Sequence, residues 1–460
     1  MVDTGEAVRI DRAGPLRGTL TPPPDKSISH RAAIIAAMGE GDSRLEGYLD
    51  AADTRSTLAA VAALGAEVTE RGATGTSGGI DVGVRGIGLR GPAASVGATG
   101  GAGVAIDVGN AGTLLRLLPG WLAGQEAGRW VLDGDESIRR RPVDRIVEPL
   151  SYMGARLSAR DDRLPPLTVD GSLLVGIDYR LPVASAQVKS SILLAGLLAH
   201  GRTSVVEPTP TRDHTERMLR AAGAEVSSEP VETTVALRGE LPARRWTVEP
   251  ADRIAGGELA IPADFSSAAF WLVAGILVPG SEVRLDGVGI NPTRIGLLGV
   301  LNRMGAAIEV IETAAAGGEP RATIVARHGP LEATRVGRGE VPLAIDELPL
   351  VALVGCFAEG DTVVSGAGEL RHKESDRIAT VAAGLGALGA EIEATDDGLV
   401  VRGSGGLRGG AIDAAGDHRL AMLGAIAGLA SREGAEVRGF DAAGVSYPGF
   451  ADDLRSLSRR

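Results

Sequence analysis

One cysteine, three lysines and an aromatic share of 3% are what this 460-residue chain has least of. A single cysteine excludes an intramolecular disulfide and any multi-cysteine metal site. The six histidines lack metal-ligand spacing, so no metal is expected. No Gly-Lys pair occurs, which removes a Walker A phosphate loop. No apolar run is long enough for a membrane span; the longest, Ala268 to Pro279, suits a buried helix. The start of the chain carries Asp3, Glu6 and Asp11 without the apolar core of a signal peptide. A formal net charge of -12 speaks against a general nucleic-acid binder. With 44% hydrophobic and 23% charged residues the chain is expected to be ordered, cytoplasmic, free of membrane and nucleic-acid partners, and built of two domains.

Glycine, by contrast, is abundant at 66 residues, which means many tight turns between short elements. A phrase recurs in which a helical stretch ends in Gly-Ala and an alternating, strand-like tail follows. It stands at Gly65-Ala66, Gly154-Ala155, Gly223-Ala224, Gly305-Ala306 and Gly389-Ala390. Glycine in that place reads as a left-handed helix C-cap. Between these phrases lies a second helix type, apolar nearly all round and so expected to be buried. Its openings are Ser29, Asn110, Ser185, Asp264, Asp346 and Asp417, all N-cap residue types. A period of roughly 70 to 80 residues is too long for a solenoid. It suits a βαβαββ unit written six times, an α/β (α+β) chain of small sheets and buried parallel helices. Prolines at 22–24 and between 242 and 252 mark a hinge near 20–25 and 242–252. The expectation is two similar domains of three units each, residues 23–249 and residues 1–22 with 250–460, with the site in the cleft between them. Parallel buried helices would aim their N-termini, with free N–H groups and partial positive charge, at that site.

The lysines Lys26, Lys189 and Lys373 stand out because arginine serves nearly every other basic position. Lys26, Ser27 and Arg31 could face one anion above the first buried helix. Gly112 in Asn110-Ala111-Gly112-Thr113 permits close approach to backbone. Ser185-Ala186-Gln187 offers hydroxyl and amide donors. Arg139-Arg140-Arg141 is a loop triple, most simply a solvated charge run. Arg371 to Arg377 packs cations and acids at helical spacing, with Lys373 and Arg377 on one face and Glu374 beside them. Arg419, inside the first turn of the sixth buried helix, opposes the helix dipole unless an anion bridges the two. Gly86 to Gly91 matches G-x-G-x-x-G, but Pro92 and a Gly/Ala loop follow instead of a helix, so no dinucleotide site is expected. Cys356 sits in an apolar run as a packing residue.

Taken in this order, from Lys26 to Pro448, the motifs resemble the enolpyruvyl transferases that act on shikimate 3-phosphate, the EPSP synthase family. The resemblance implies two domains of three βαβαββ copies, an inside-out barrel-like arrangement. It implies transfer of the enolpyruvyl group of phosphoenolpyruvate to the 5-hydroxyl of shikimate 3-phosphate, with release of phosphate, in a monomer that needs no cofactor. By the same resemblance Lys26, Ser27, Arg31, Ser185, Ala186, Gln187, Arg212, Asp346 and Lys373 hold shikimate 3-phosphate. Lys26, Gly112, Arg141, Gln187, Arg377 and Arg419 hold phosphoenolpyruvate. Asp346 would be the base, and either Glu374 or Lys26 would protonate the methylene carbon. Gly112 leaves room for the inhibitor glyphosate, so sensitivity is expected. Val445 stands where a further basic contact is usual, and Glu369 where some members have asparagine. Two rivals remain open. One is the related transferase acting on UDP-N-acetylglucosamine, which commonly has Lys-Asn where this chain has Lys26-Ser27. The other is a non-catalytic repeat scaffold for a phosphorylated ligand, which would not need Asp346 and Glu374.

Overall fold

In the computed structural model, the described residues are 7–73, 78–92, 103–231 and 242–458. Asp3, Glu6 and the stretch that follows Pro92 lie outside them.

The repeated phrase folds as its chemistry dictates. Gly65, Gly154, Gly223, Gly305 and Gly389 all take positive φ, between 80° and 109°. Each closes an outer helix and turns the chain into a strand, a conformation glycine adopts without a Cβ penalty. The second unit shows the whole pattern. Strand Val104–Asp107 leads to helix Gly112–Ala123, strand Arg129–Asp133, helix Asp144–Tyr152 and the hairpin Arg156–Arg160 and Leu164–Asp170. The first two strands pair in parallel, Val104 opposite Trp130, and the hairpin adds antiparallel. Among the described residues there are six such sheets, five of four strands and one of three.

The six buried helices are α1 (Lys26–Met38), α2 (Gly112–Ala123), α3 (Ala186–Gly196), α4 (Phe265–Leu277), α5 (Leu348–Gly355) and α6 (His418–Ala430). All thirteen residues of α4 are buried. A helix apolar all round must be enclosed on every side, and each of these packs on the sheet of its own unit and on a neighbouring buried helix. They sort into two cores, one holding α1–α3 and the other α4–α6.

Three expected openings hold and three shift. Ser185, Asp264 and Asp417 cap α3, α4 and α6. α1 begins a turn before Ser29, because the Asp25 carboxylate accepts from Ile28 N at 2.8 Å. α2 begins after Asn110, whose side chain is engaged by Arg141 and Asp135 instead. α5 begins after Glu347, since the Asp346 carboxylate is taken up by cations. The segment 371–377 is not one helix either. A 3₁₀ turn ends at His372, Lys373 is extended, and Asp376 caps a new helix that starts at Arg377 by accepting from Ala379 N at 3.1 Å.

The two chain crossings lie side by side. Asp25 N donates to Pro262 O at 2.8 Å and Asp264 N to Pro23 O at 2.7 Å. Here the strands exchange. Arg17–Leu20 leads into α1 yet pairs with Glu282–Gly289 beside α4. Glu258–Ala260 leads into α4 yet pairs with Glu40–Leu49 beside α1. Ile254 and Ile261, past the proline-marked stretch 242–252, pack in the α1–α3 core.

Candidate active site

Every one of the six helix openings reaches a single cavity of about 590 Å³ between the two cores. Lys26 and Ser27 come from α1, Thr113 from α2, Ser185 to Gln187 from α3, Asp264 from α4, Asp346 from the turn before α5, and His418 and Arg419 from α6. The first N–H groups of a helix have no intrahelical acceptor, so the cavity is ringed by donors before any side chain is counted.

Asp346 is the acid at its centre. Arg212 ion-pairs with it from across the cleft, and Lys373 (3.5 Å), Arg377 (3.4 Å) and Arg419 (3.7 Å) approach from its own side. Burial alone would raise this carboxyl; Lys373, Arg419, Arg212 and Arg294 outweigh it and hold the group well below the usual range. Arg377 is 1% exposed, and its fork is fully used. It meets Asp417 at 2.8 Å, Glu374 at 2.6 Å and Asp346. Glu374, at the cleft edge, is driven well below its usual range: burial opposes ionisation, but Arg377, and behind it Arg141 and Lys373, prevail.

Arg141 alone of the arginine triple turns inward. Arg139 pairs with Asp133 at 2.7 Å and Arg140 with Glu136 at 3.4 Å, both near the surface. Arg141 donates to Asn110 Oδ1 at 2.6 Å and reaches Glu374 across the cleft at 4.0 Å. Gly112 lies directly beneath it: a Cβ there would stand 2.9 Å from Arg141 Nη1 and 3.2 Å from Arg116 Nη1. Gly112 and Arg141 thus adjoin the cavity, while every other residue that the resemblance assigns to a substrate lines it.

Gln187 is held by Thr113 at 3.2 Å and Arg116 at 3.4 Å. Arg31, 3% exposed, donates to Ser27 O at 2.9 Å and Thr215 Oγ1 at 2.8 Å. Lys26 ion-pairs with the buried Asp53. His418 is pushed down to about 3, chiefly by burial and then by Arg419, so it is neutral near pH 7.

Sequence reasoning missed Asp53, Arg145, Arg294, Arg338, Glu347 and Asp417 as parts of this site. Asp417 was read only as a cap, and its second oxygen serves Arg377. Arg294 and Glu347 form a buried pair at 3.0 Å behind Asp346, with no motif to announce them. Arg145 meets Glu369 across the cleft at 3.4 Å. Val445 is 38% exposed and outside the cavity lining, where Ser446 and Arg338 stand instead.

Six helix tips and a cluster of guanidinium groups around one carboxylate define a class: a two-core α/β protein whose shared cavity has the donors and charge that small, multiply charged anions require. The comparisons narrow the class. Residues 10–454 match the family model of EPSP synthase, 3-phosphoshikimate 1-carboxyvinyltransferase. A 3-phosphoshikimate 1-carboxyvinyltransferase of Synechococcus sp. (strain WH7803) is 44% identical over 455 residues, 99% of each chain. One from Thermus thermophilus is 47% identical over 453 residues, covering 98% of this chain and 99% of that one. The solved EPSP synthase of Acinetobacter baumannii superposes with a TM-score of 0.82 at 38% identity, over 99% of this chain and 98% of that one. An enolpyruvyl transferase of Streptomyces tendae, 20% identical, shares the fold with a TM-score of 0.71 over 99% and 98%. The chain belongs to the EPSP synthase family, whose reaction is the shikimate-pathway transfer of an enolpyruvyl group. No helix among the described residues is long and apolar enough to cross a membrane.

Proposed function

We propose that shikimate 3-phosphate and phosphoenolpyruvate meet in this cleft and react around Asp346. The observation that carries the reading is the convergence of four cations on that one carboxylate, from facing walls of the cleft. Lys26, Ser27, Arg31, Ser185, the Ala186 backbone, Gln187, Arg212 and Lys373 hold shikimate 3-phosphate. Lys26, Gly112, Arg141, Gln187, Arg377 and Arg419 hold phosphoenolpyruvate. Forked guanidinium groups suit carboxylate and phosphate oxygens. The protein is acidic overall, so this local field and not the net charge draws the substrates in.

Asp346 accepts the proton of the 5-hydroxyl as its oxygen bonds to C2 of phosphoenolpyruvate. C3 gains a proton, giving a tetrahedral intermediate. Loss of a C3 proton and departure of phosphate then restore the double bond. Before the substrates arrive Asp346 is a weak base, because its cations stabilise the ionised form. Two polyanions compete for those same cations, and the proton affinity of Asp346 rises when both are present. The same competition at Arg141 and Arg377 raises the proton affinity of Glu374, which makes it the donor to C3; Lys26 lines the same cavity. No step requires a cofactor, because phosphoenolpyruvate carries its own leaving group. The phosphorylated substrates support the cytoplasm, and action as a monomer stays part of the reading through the family resemblance.

Phosphate release from phosphoenolpyruvate tests the reading. Release is expected with shikimate 3-phosphate and not with UDP-N-acetylglucosamine; the reverse would transfer the chain to its rival, and none with either would leave a binding scaffold. Gly112→Ala gives a finer check. The added methyl must displace Arg141, and it also crowds glyphosate, so the KM for phosphoenolpyruvate should rise and glyphosate inhibition weaken further still. Unchanged glyphosate inhibition in this variant would move the phosphoenolpyruvate site away from Gly112.

A further inference from the structure

The third lysine does not reach the cavity. Lys189, on α3, is 0% exposed, and so are the two carboxylates beside it, Glu207 and Glu216. Its ammonium donates to Glu207 Oε2 at 3.0 Å and Thr211 O at 3.5 Å and forms an ion pair with Glu216 at 2.9 Å, where neither carboxylate oxygen has a hydrogen-bond partner among the described residues. A compact ammonium fits this closed site, where an arginine fork would bring five donors to bury. Burial would strip its proton, but Glu216 and Glu207 hold it on.

The cluster is directional. Glu207, at the end of strand Thr203–Glu207, accepts Trp246 Nε1 on one oxygen at 2.8 Å. Its other oxygen accepts both Thr211 N at 3.0 Å and Thr211 Oγ1 at 2.6 Å. Thr211 is the residue before Arg212, which crosses the cleft to Asp346. Residues 208–211 thus form a short loop tied at its far end to a buried polar anchor. Glu216 lies one residue from Thr215, whose hydroxyl receives Arg31 Nε and also meets Ser190 Oγ at 2.7 Å. Ser190 adjoins Lys189. Both arginines assigned above to shikimate 3-phosphate are therefore one residue removed from a partner of this lysine. A buried ion cluster is poor evidence for stability, since apolar replacements of like volume often serve as well. What an apolar cluster would not do is hold the Thr211 backbone N–H and hydroxyl at one fixed point.

We propose that Lys189, Glu207 and Thr211 are positioning residues that aim Arg212 into the cleft and so set the affinity for shikimate 3-phosphate. The inference rests on the assignment of Arg212 to that substrate. Its test is a double-mutant cycle of Thr211→Val with Arg212→Ala, read by steady-state phosphate release. Thr211→Val keeps the side-chain volume, buries no unpaired charge, and removes the 2.6 Å bond to Glu207. The KM for shikimate 3-phosphate should rise about tenfold, the value of a hydrogen bond to a charged group. The KM for phosphoenolpyruvate should hold, and kcat should change far less than the KM. In the Arg212→Ala background the same substitution should add nothing. An undiminished effect in that background, or no effect alone, overturns the positioning role and leaves the site intact. If Arg212→Ala itself does not change the KM for shikimate 3-phosphate, the assignment of Arg212 falls and takes the proposal with it. Lys189→Met, if it folds, should reproduce the Thr211→Val pattern; a loss spread equally over both substrates would contradict it.

Discussion

Asp346→Asn is expected to lower kcat by about 10²–10⁴-fold, the contribution of one general base. The KM for shikimate 3-phosphate should stay the same or fall. The reason is electrostatic. The substitution keeps shape and removes one negative charge from the midst of Arg212, Lys373, Arg377 and Arg419. Those cations are then freer to bind anions, so binding does not suffer while proton removal does. Steady-state kinetics separate the two quantities. A KM that rises while kcat holds would make Asp346 a substrate contact and not the base.

Arg377→Gln has the second large effect, and it acts on both stability and binding. Arg377 compensates Asp417, Glu374 and Asp346 from a position 1% exposed. Removing one partner of a buried pair leaves uncompensated charge and costs about 3–5 kcal/mol. Thermal unfolding near pH 7 should show that loss, and the KM for phosphoenolpyruvate should rise steeply. The pH dependence has a definite sign. Asp346, Glu374 and Asp417 are all depressed in the folded state, by neighbouring cations that overcome burial. The unfolded chain therefore takes up protons first as pH falls. Stability from these groups is present above the ordinary carboxyl range of about 3.9–4.3 and is lost as pH falls through the folded values. Without Arg377 that acid limb should move to higher pH. An acid limb unchanged in the variant would mean that Arg377 does not hold these carboxyls ionised.

Much of this was legible because the repeat is written in the sequence. The five Gly-Ala phrases gave the outer helix ends residue by residue, since only glycine enters the left-handed region freely at those points. The apolar helices gave the buried layer, and three of six caps fell on the expected residue. Two of the missed caps share a cause. Asn110 and Asp346 are cap-type residues whose side chains are occupied by the site, so local propensity lost to tertiary charge. Asp376 broke the supposed helix 371–377 for a similar reason: capping a new helix at Arg377 places that fork between three carboxylates. Residues 1–22 were expected beside 250–460, and Arg17–Leu20 pairs with Glu282–Gly289; the return exchange of 258–260 onto Glu40–Leu49 leaves no local signature, because that strand reads normally and only its partner is distant. Arg294 and Glu347 were invisible for the same reason, a pair 53 residues apart that meets only after folding.

The account rests on one cleft receiving both anions. Calorimetric titration of shikimate 3-phosphate, followed by glyphosate, into wild type and Arg377→Gln tests it most directly. One equivalent of shikimate 3-phosphate should bind to each protein, and glyphosate should then bind to the wild-type complex and not to the variant. Absence of shikimate 3-phosphate binding, or equal glyphosate binding by both proteins, would contradict it.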